Sequence, residues 1–206
     1  TRFLPHYLKV REMIAEGKLG ELKGVLANFG FKPPEPVSPR LYEPALGGGS
    51  LLDIGIYPVF LAQSILGVPD SISAKMDPAS TGVDEQCSMV FHYKNGMTAN
   101  LFSTLASNLE TDADIFGTKG RIRLTNRFYE PSATIQFYPD IITSRTIIPI
   151  EKEPGWGYQH EIRHVNECLH KGLTESPVWT LDDTLNLMKT LDVVRGVMGL
   201  KYSVDS

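Results

Sequence analysis

Between residues 71 and 150 the sequence alternates apolar and polar side chains at period two in seven short runs (71–77, 85–93, 97–105, 111–116, 121–125, 133–138 and 145–150). This feature limits the fold more than any other. Parallel strands need a crossover of a dozen or more residues after each strand, and no room for one exists between these runs. They must therefore pair as hairpins. Asn95-Gly96 is the strongest short hairpin signal, and Thr118-Lys119-Gly120 makes a second tight turn. An earlier strand over 22–31 puts Val25, Ala27, Phe29 and Phe31 on one side. A first helix opens at Pro5, carries Leu8, Val10, Met13 and Ile14, and stops before Gly17. An apolar helix follows over Leu51–Leu66, with Ser50 and Asp53 reading as a capping box. Two helices close the chain, Tyr158–Lys171 and Leu181–Leu200, the second opened by a Thr180-x-x-Asp183 box. This order predicts an α+β fold with a predominantly antiparallel, open-faced sheet and helices on one face. The uncovered face must be buried elsewhere, and a homo-oligomer, as a dimer, is the expected solution.

Composition removes several function classes. Lys plus Arg number 20 against 24 for Asp plus Glu, a net charge of −4 that speaks against nucleic acid. The apolar stretch 51–61 is broken by Asp53 and Pro58, well short of the roughly 18 apolar residues of a membrane span. Cys87 and Cys168 fit no metal-ligand spacing and read as buried thiols of a reducing cytoplasm. Among 18 glycines no G-x-G-x-x-G occurs, so the chain has no Rossmann phosphate loop. The start at Thr1, without Met or signal peptide, is expected to lie inside a longer protein.

Five prolines between Pro33 and Pro44 forbid regular structure and lead into Gly47-Gly48-Gly49-Ser50. Just past this flexible segment Asp53 and Tyr57 stand four residues apart on one helix face. On spacing alone the structural roles are favoured: Asp53 caps a helix for about 1 kcal/mol, and Tyr57 is a core aromatic. Gly55 removes bulk beside the pair and Pro58 weakens the helix, which would hold that face open for a ligand.

The segment Gly48-Gly49-Ser50-Leu51-Leu52-Asp53-Ile54-Gly55-Ile56-Tyr57 resembles the G-G-x-L-x-D-x-G-x-H/Y signature of the Gfo/Idh/MocA family of NAD(P)-dependent oxidoreductases. Thr1-Arg2-Phe3-Leu4-Pro5, Ile14-Ala15-Glu16-Gly17-Lys18-Leu19-Gly20-Glu21-Leu22, Ile115-Phe116-Gly117-Thr118-Lys119-Gly120 and Gly172-x-x-Glu175-Ser176-Pro177 are similar to further family segments in the same order. Tyr57, where many members have His, points to the branch of dihydrodiol dehydrogenases, glucose-fructose oxidoreductase and xylose dehydrogenases. The resemblance implies a C-terminal substrate-binding and dimerisation domain over residues 1–206, of the kind seen in glyceraldehyde-3-phosphate dehydrogenase. The nucleotide-binding Rossmann domain would precede Thr1. It also implies NAD or NADP as cofactor, and a sugar, polyol or cyclic diol as substrate. Tyr57 would be the catalytic acid/base, helped by a Lys of the preceding domain, and Asp53 would orient the substrate. Glu151-Lys152-Glu153-Pro154 only looks like the family's E-K-P motif and reads as a solvated loop.

Five other positions are candidates. Arg2 and Phe3, at the junction with the nucleotide domain, would contact nicotinamide, and Arg2 would also contact substrate, unless it is a plain surface cation. Phe29 would wall the substrate pocket or serve as a core aromatic. His160 would face the cleft for substrate or stay exposed. Trp156, between Gly155 and Gly157, reads as an aromatic flap or a packed loop.

His160-Glu161-Ile162-Arg163-His164 competes with this reading, since H-E-x-x-H holds zinc in metallohydrolases. His170 diverges from His164 around the helix, and Glu167 occupies the position where extended zincins turn the chain with glycine. The expectation is no metal, with Ile162, Val165 and Leu169 facing the core and the histidines solvated. A zinc hydrolase is the remote alternative, and a non-catalytic binding or assembly module of the same fold is the nearer one.

Overall fold

The computed structural model describes residues 1–139 and 144–205. Helix α1 (Pro5–Ala15) leads to strand β1 (Leu22–Gly30) and then to helix α2 (Ile56–Leu66). The strands β2 (Ser71–Pro78), β3 (Asp84–His92), β4 (Thr98–Thr104), β5 (Ala113–Gly117), β6 (Gly120–Thr125), β7 (Thr134–Tyr138) and β8 (Thr146–Ile148) follow, then α3 (Tyr158–His170) and α4 (Leu181–Met198). The eight strands form one sheet in the order β2-β3-β4-β1-β5-β6-β7-β8. Every pairing is antiparallel except β1 with β4, where Val25 lies opposite Ala99 and Ala27 opposite Leu101. That parallel pair follows from α2: the helical crossover after β1 lets the β2-β3-β4 meander return beside it.

Period two decides which side is dry. Val25, Ala27, Met89, Phe91, Ala99, Leu101, Ile115, Ile122 and Leu124 point to the helices and are buried. Leu191 and Val194 of α4, Val59 and Leu61 of α2 and Val10 of α1 close over them in one core. The opposite face carries Leu26, 44% exposed, together with Ser88 and Asn100. Asp112 and Asp114 also lie on that face, held by Arg123 at 2.8 and 3.2 Å.

Three expectations change. Residues 51–66 are not one capped helix: Leu51–Gly55 is a π-helical turn and only Ile56–Leu66 is α-helical, with Pro58 near its start, where a missing N–H is tolerated. Ser50 makes no capping bond to this helix, and its hydroxyl turns instead to Asp84 at 2.7 Å. The stripe on α3 faces outward, with Ile162, Val165 and Leu169 more than half exposed, because α1, α2 and α4 already fill the layer over the sheet. The segment Pro44–Leu66, of mean hydropathy 1.4, is long and apolar enough to cross a membrane by composition, yet it is broken into turns and helix, and Leu51, Val59 and Leu61 are fully buried in the core.

Candidate active site

Tyr57 leaves the first turn of α2 and lies on an aromatic bed. Its ring centre is 5.5 Å from that of Phe29 and 4.7 Å from that of Tyr129, which in turn stacks on Phe29 at 4.5 Å. The ring is thus fixed by strand β1 and by the segment after β6. Among the described residues the Tyr57 hydroxyl makes no hydrogen bond, although its side chain is half buried. It faces two cavities instead. One, of about 320 Å³, is mostly apolar and is lined by Arg2, Phe3, Ile56, Tyr57, Phe60 and Trp179. The other, of about 190 Å³, is more polar and is lined by Tyr57, Tyr129, Glu130, Trp156, Tyr158 and Glu161. Thr1, Phe3 and Glu161 border both.

The electrostatics around this hydroxyl have one sign. Burial pushes the Tyr57 phenol above its ordinary range, and Tyr158, Asp53 and Glu130 push it further the same way. A neutral hydroxyl with free hydrogen-bonding capacity is a proton donor waiting for an acceptor. To serve as a base near pH 7 even an ordinary phenol would have to fall by about 3 units, or about 4 kcal/mol, and this raised one by more, which calls for a cation. The groups that shift it here supply none.

The other sequence candidates scatter. Asp53 is brought near enough to Tyr57 to raise its pKa, but its carboxylate is held by Arg40 of the proline-rich segment at 2.6 Å and lines neither cavity. Arg2 lines the larger cavity with its guanidinium already engaged, donating to the Tyr7 hydroxyl at 2.8 Å and the Val178 carbonyl at 3.2 Å. Phe3 borders both cavities and stacks on His164 at 4.7 Å. Phe29 is buried behind Tyr57 and lines neither. His160 is half buried and also lines neither. His164 is not solvated as expected: its Nε2 meets the Ser176 hydroxyl at 2.7 Å and the Cys168 thiol at 3.4 Å. Among the described residues no group of three metal-ligating side chains converges. Trp156 is 81% exposed and borders the smaller cavity. The loop at Lys152 and Glu153 is exposed, with Glu153 paired to Arg163 at 2.7 Å.

Sequence reading missed Tyr129, Arg40 and Glu161. Tyr129 belongs to no motif and reaches the site only because β6 ends beside β1's neighbour. Arg40 sits among prolines, where no periodicity points a side chain. Glu161 was visible only as the centre of the zinc-like motif.

Residues 7–123 match the family model described as the GFO/IDH/MocA C-terminal domain. The chain is 34% identical over 206 residues to trans-1,2-dihydrobenzene-1,2-diol dehydrogenase of Xenopus tropicalis, covering 98% of this chain and 62% of that protein. It is 31% identical over 214 residues to the Homo sapiens enzyme of the same name, covering all of this chain and again 62% of the relative. The chain thus spans less than two thirds of the length of these curated relatives. The fold also matches aldose-aldose oxidoreductase from Caulobacter crescentus in complex with glycerol, with a TM-score of 0.82 at 22% identity over 95% of this chain and 59% of that one. A 3-ketoreductase from Actinomadura kijaniata, in complex with NADP, matches with a TM-score of 0.75 at 24% identity over 96% of this chain and 60% of that one. With more than half its length under the family model and relatives above 30% identity across essentially all of it, this chain belongs to the Gfo/Idh/MocA family as its C-terminal domain.

Proposed function

We propose that this chain is the substrate-binding and dimerisation part of an NAD(P)-dependent oxidoreductase that moves a hydride between nicotinamide and a sugar, polyol or cyclic diol. The observation that carries the reading is the Tyr57 hydroxyl, fixed on Phe29 and Tyr129, without a hydrogen-bond partner among the described residues, at the meeting of two cavities. The chain has no phosphate loop, so the phosphates and adenosine of a dinucleotide need a domain outside residues 1–206. The apolar, aromatic cavity beside Phe3 and Tyr57 fits a flat nicotinamide ring. When bound, that ring supplies the hydride or takes it.

The residues of this chain handle the proton. In the reducing direction the neutral Tyr57 hydroxyl donates its proton to the substrate oxygen as the hydride reaches the adjacent carbon. In the oxidising direction it must first be deprotonated, and a Lys brought by the nucleotide-binding domain is the expected cation. Phe3, Tyr129 and Trp156 exclude water and offer ring faces to the substrate. Asp53 accepts a substrate hydroxyl once Arg40 moves off, and Arg2 keeps Tyr7 and the Val178 carbonyl in place at the cavity wall.

The open sheet face supports a dimer. Leu26 at its centre is exposed, and Ser88 and Asn100 of the same face are exposed beside it. Free, widely separated Cys87 and Cys168 fit a cytoplasmic protein. The test is the full-length protein with NADH and NADPH against a panel of aldoses, polyols and cyclic diols or diketones. Turnover of at least one, lowered by about 10²–10⁴ in Tyr57→Phe, supports the reading. Binding without turnover across the panel favours a non-catalytic module.

A further inference from the structure

Asp84 is the most deeply buried acid among the described residues. Its relative exposure is 0%, and it opens strand β3 directly beneath the triple glycine. One carboxylate oxygen, Oδ2, accepts the Ser50 hydroxyl at 2.7 Å and the Leu51 amide at 2.6 Å. The other, Oδ1, has no hydrogen-bond partner among the described residues and lies against Gly49, where any Cβ would overlap it; the Gly49 φ of +114° also strains any larger residue. Around this carboxylate the contacts continue inward. The Ser50 hydroxyl is 3.0 Å from that of Ser103, which is 3.2 Å from the Cys87 thiol. Ser103 in turn sits against Gly55, where a Cβ would come within 2.8 Å of its hydroxyl. From the other side the Tyr202 hydroxyl donates to the Gly48 carbonyl at 2.6 Å.

The titratable groups that face the carboxylate are Cys87 of its own strand and Tyr202 of the carboxyl-terminal segment, both pushed up to about 12 by burial and therefore neutral. Burial raises Asp84 itself, and the Ser50 hydroxyl and the Leu51 amide pull it back, with the amides of Asp84 and Ser50 acting the same way. A buried carboxylate with one idle oxygen is costly to keep. Its two bonds both end at the point where the chain leaves the glycines and starts the π-helical turn that carries Asp53, with Tyr57 directly after it.

We propose that Asp84 is the positioning residue of this site: by holding Ser50 and Leu51 it sets the direction of the Leu51–Gly55 turn, and through that turn the places of Asp53 and Tyr57. The proposal rests on the catalytic reading of Tyr57 for its kinetic consequence, but its structural consequence stands apart from it. Gly49 and Gly55 are then the two places where this buried polar node leaves no room for a side chain. Ser50 serves as a donor into the node, which a cap of its own helix would not require.

The test uses the full-length protein and two variants. Asp84→Asn keeps the shape and removes the charge, and Ser50→Ala removes one donor should the first variant fail to fold. Amide exchange read by mass spectrometry should quicken over residues 50–57 and stay unchanged over β3 and β4. With a substrate that is turned over, kcat should fall by about 10²-fold, the usual loss when a catalytic group is misplaced by about an ångström, with KM nearly unchanged. Unchanged exchange over 50–57 overturns the proposal, and so does an unchanged kcat in a protein whose Tyr57→Phe variant is slow. If no substrate is turned over at all, the catalytic reading has failed and exchange alone decides: a local quickening upholds the positioning role, and its absence ends it.

Discussion

Replacing Tyr57 with Phe separates chemistry from packing unusually well at this position. Phe keeps the ring contacts at 5.5 Å to Phe29 and 4.7 Å to Tyr129. The hydroxyl that is lost has no hydrogen-bond partner among the described residues, so no donor or acceptor is orphaned. Stability should therefore change by less than about 1 kcal/mol, the usual worth of a single hydrogen bond. Turnover should fall by about 10²–10⁴, the range for losing a positioned proton donor, which is about 3–5 kcal/mol of transition-state stabilisation. Steady-state kinetics of the full-length protein and urea unfolding of the same preparation give both numbers. The pH behaviour follows from the direction of the shift. Burial, Tyr158, Asp53 and Glu130 raise the folded pKa above its unfolded value, so the neutral phenol's contribution to stability is whole below the ordinary value near 10 and is lost as pH rises from there through the folded one. In residues 1–206 alone, the difference between the ultraviolet titrations of wild type and Tyr57→Phe should place this phenol above 10. A Tyr57→Phe enzyme with an undiminished rate refutes the proton-donor role. A phenol titrating below 10 in this chain refutes the account of its surroundings.

Other outcomes are equally definite. His6 is 1% exposed and is pulled down to about 4 by burial, with its Nε2 2.8 Å from the Phe128 carbonyl. Its folded value lies below its unfolded one, so its contribution is whole above about pH 6.5 and is lost as pH falls towards 4, by about 3 kcal/mol in all; urea midpoints across that window should slope for wild type and flatten for His6→Gln. Leu26→Glu, on the uncovered sheet face, should turn a dimer into a monomer in light scattering with an unchanged circular dichroism spectrum, and an unchanged mass removes that face as the interface. Val165→Gln on α3 should shift stability by less than about 0.5 kcal/mol, as surface positions do, whereas Leu191→Ala in the core should cost about 2–5 kcal/mol; equal losses would put the α3 stripe back in the core. Dialysis against EDTA should leave turnover untouched, and stoichiometric zinc that restores a lost activity would revive the hydrolase reading.

Most of the fold was legible because hairpins are local. Asn95-Gly96 and Thr118-Lys119-Gly120 stand at the turns β3–β4 and β5–β6, and period two told each strand which residues to bury. The parallel neighbour of β1 was not legible, since nothing local says which later strand returns beside it. The outward stripe of α3 was not legible for a related reason: periodicity finds an apolar face but does not say whether a place in the core remains for it. Tyr57 could be found through its motif, while Tyr129 and Arg40, which fix or occupy its surroundings, carry no pattern at all.

The limit of local reading is sharpest where one pattern has two outcomes. Thr180-x-x-Asp183 and Ser50-x-x-Asp53 have the same form in the sequence. At Thr180 the box closes as written, with the Asp183 amide donating to Thr180 Oγ1 at 3.1 Å and the Thr180 amide donating to Asp183 Oδ2 at 2.9 Å. At Ser50 it does not form, although the residues are equally able. The difference is in what surrounds the first residue. Thr180 begins its helix in a partly exposed loop where its own helix offers the nearest partners. Ser50 is fully buried between β3 and β4, where Asp84, 34 residues further along the chain, and Ser103 outbid the local amides. Asp53, released from capping, is then free to meet Arg40. A helix that starts inside the core is positioned by distant strands, and the helix that carries Tyr57 starts there.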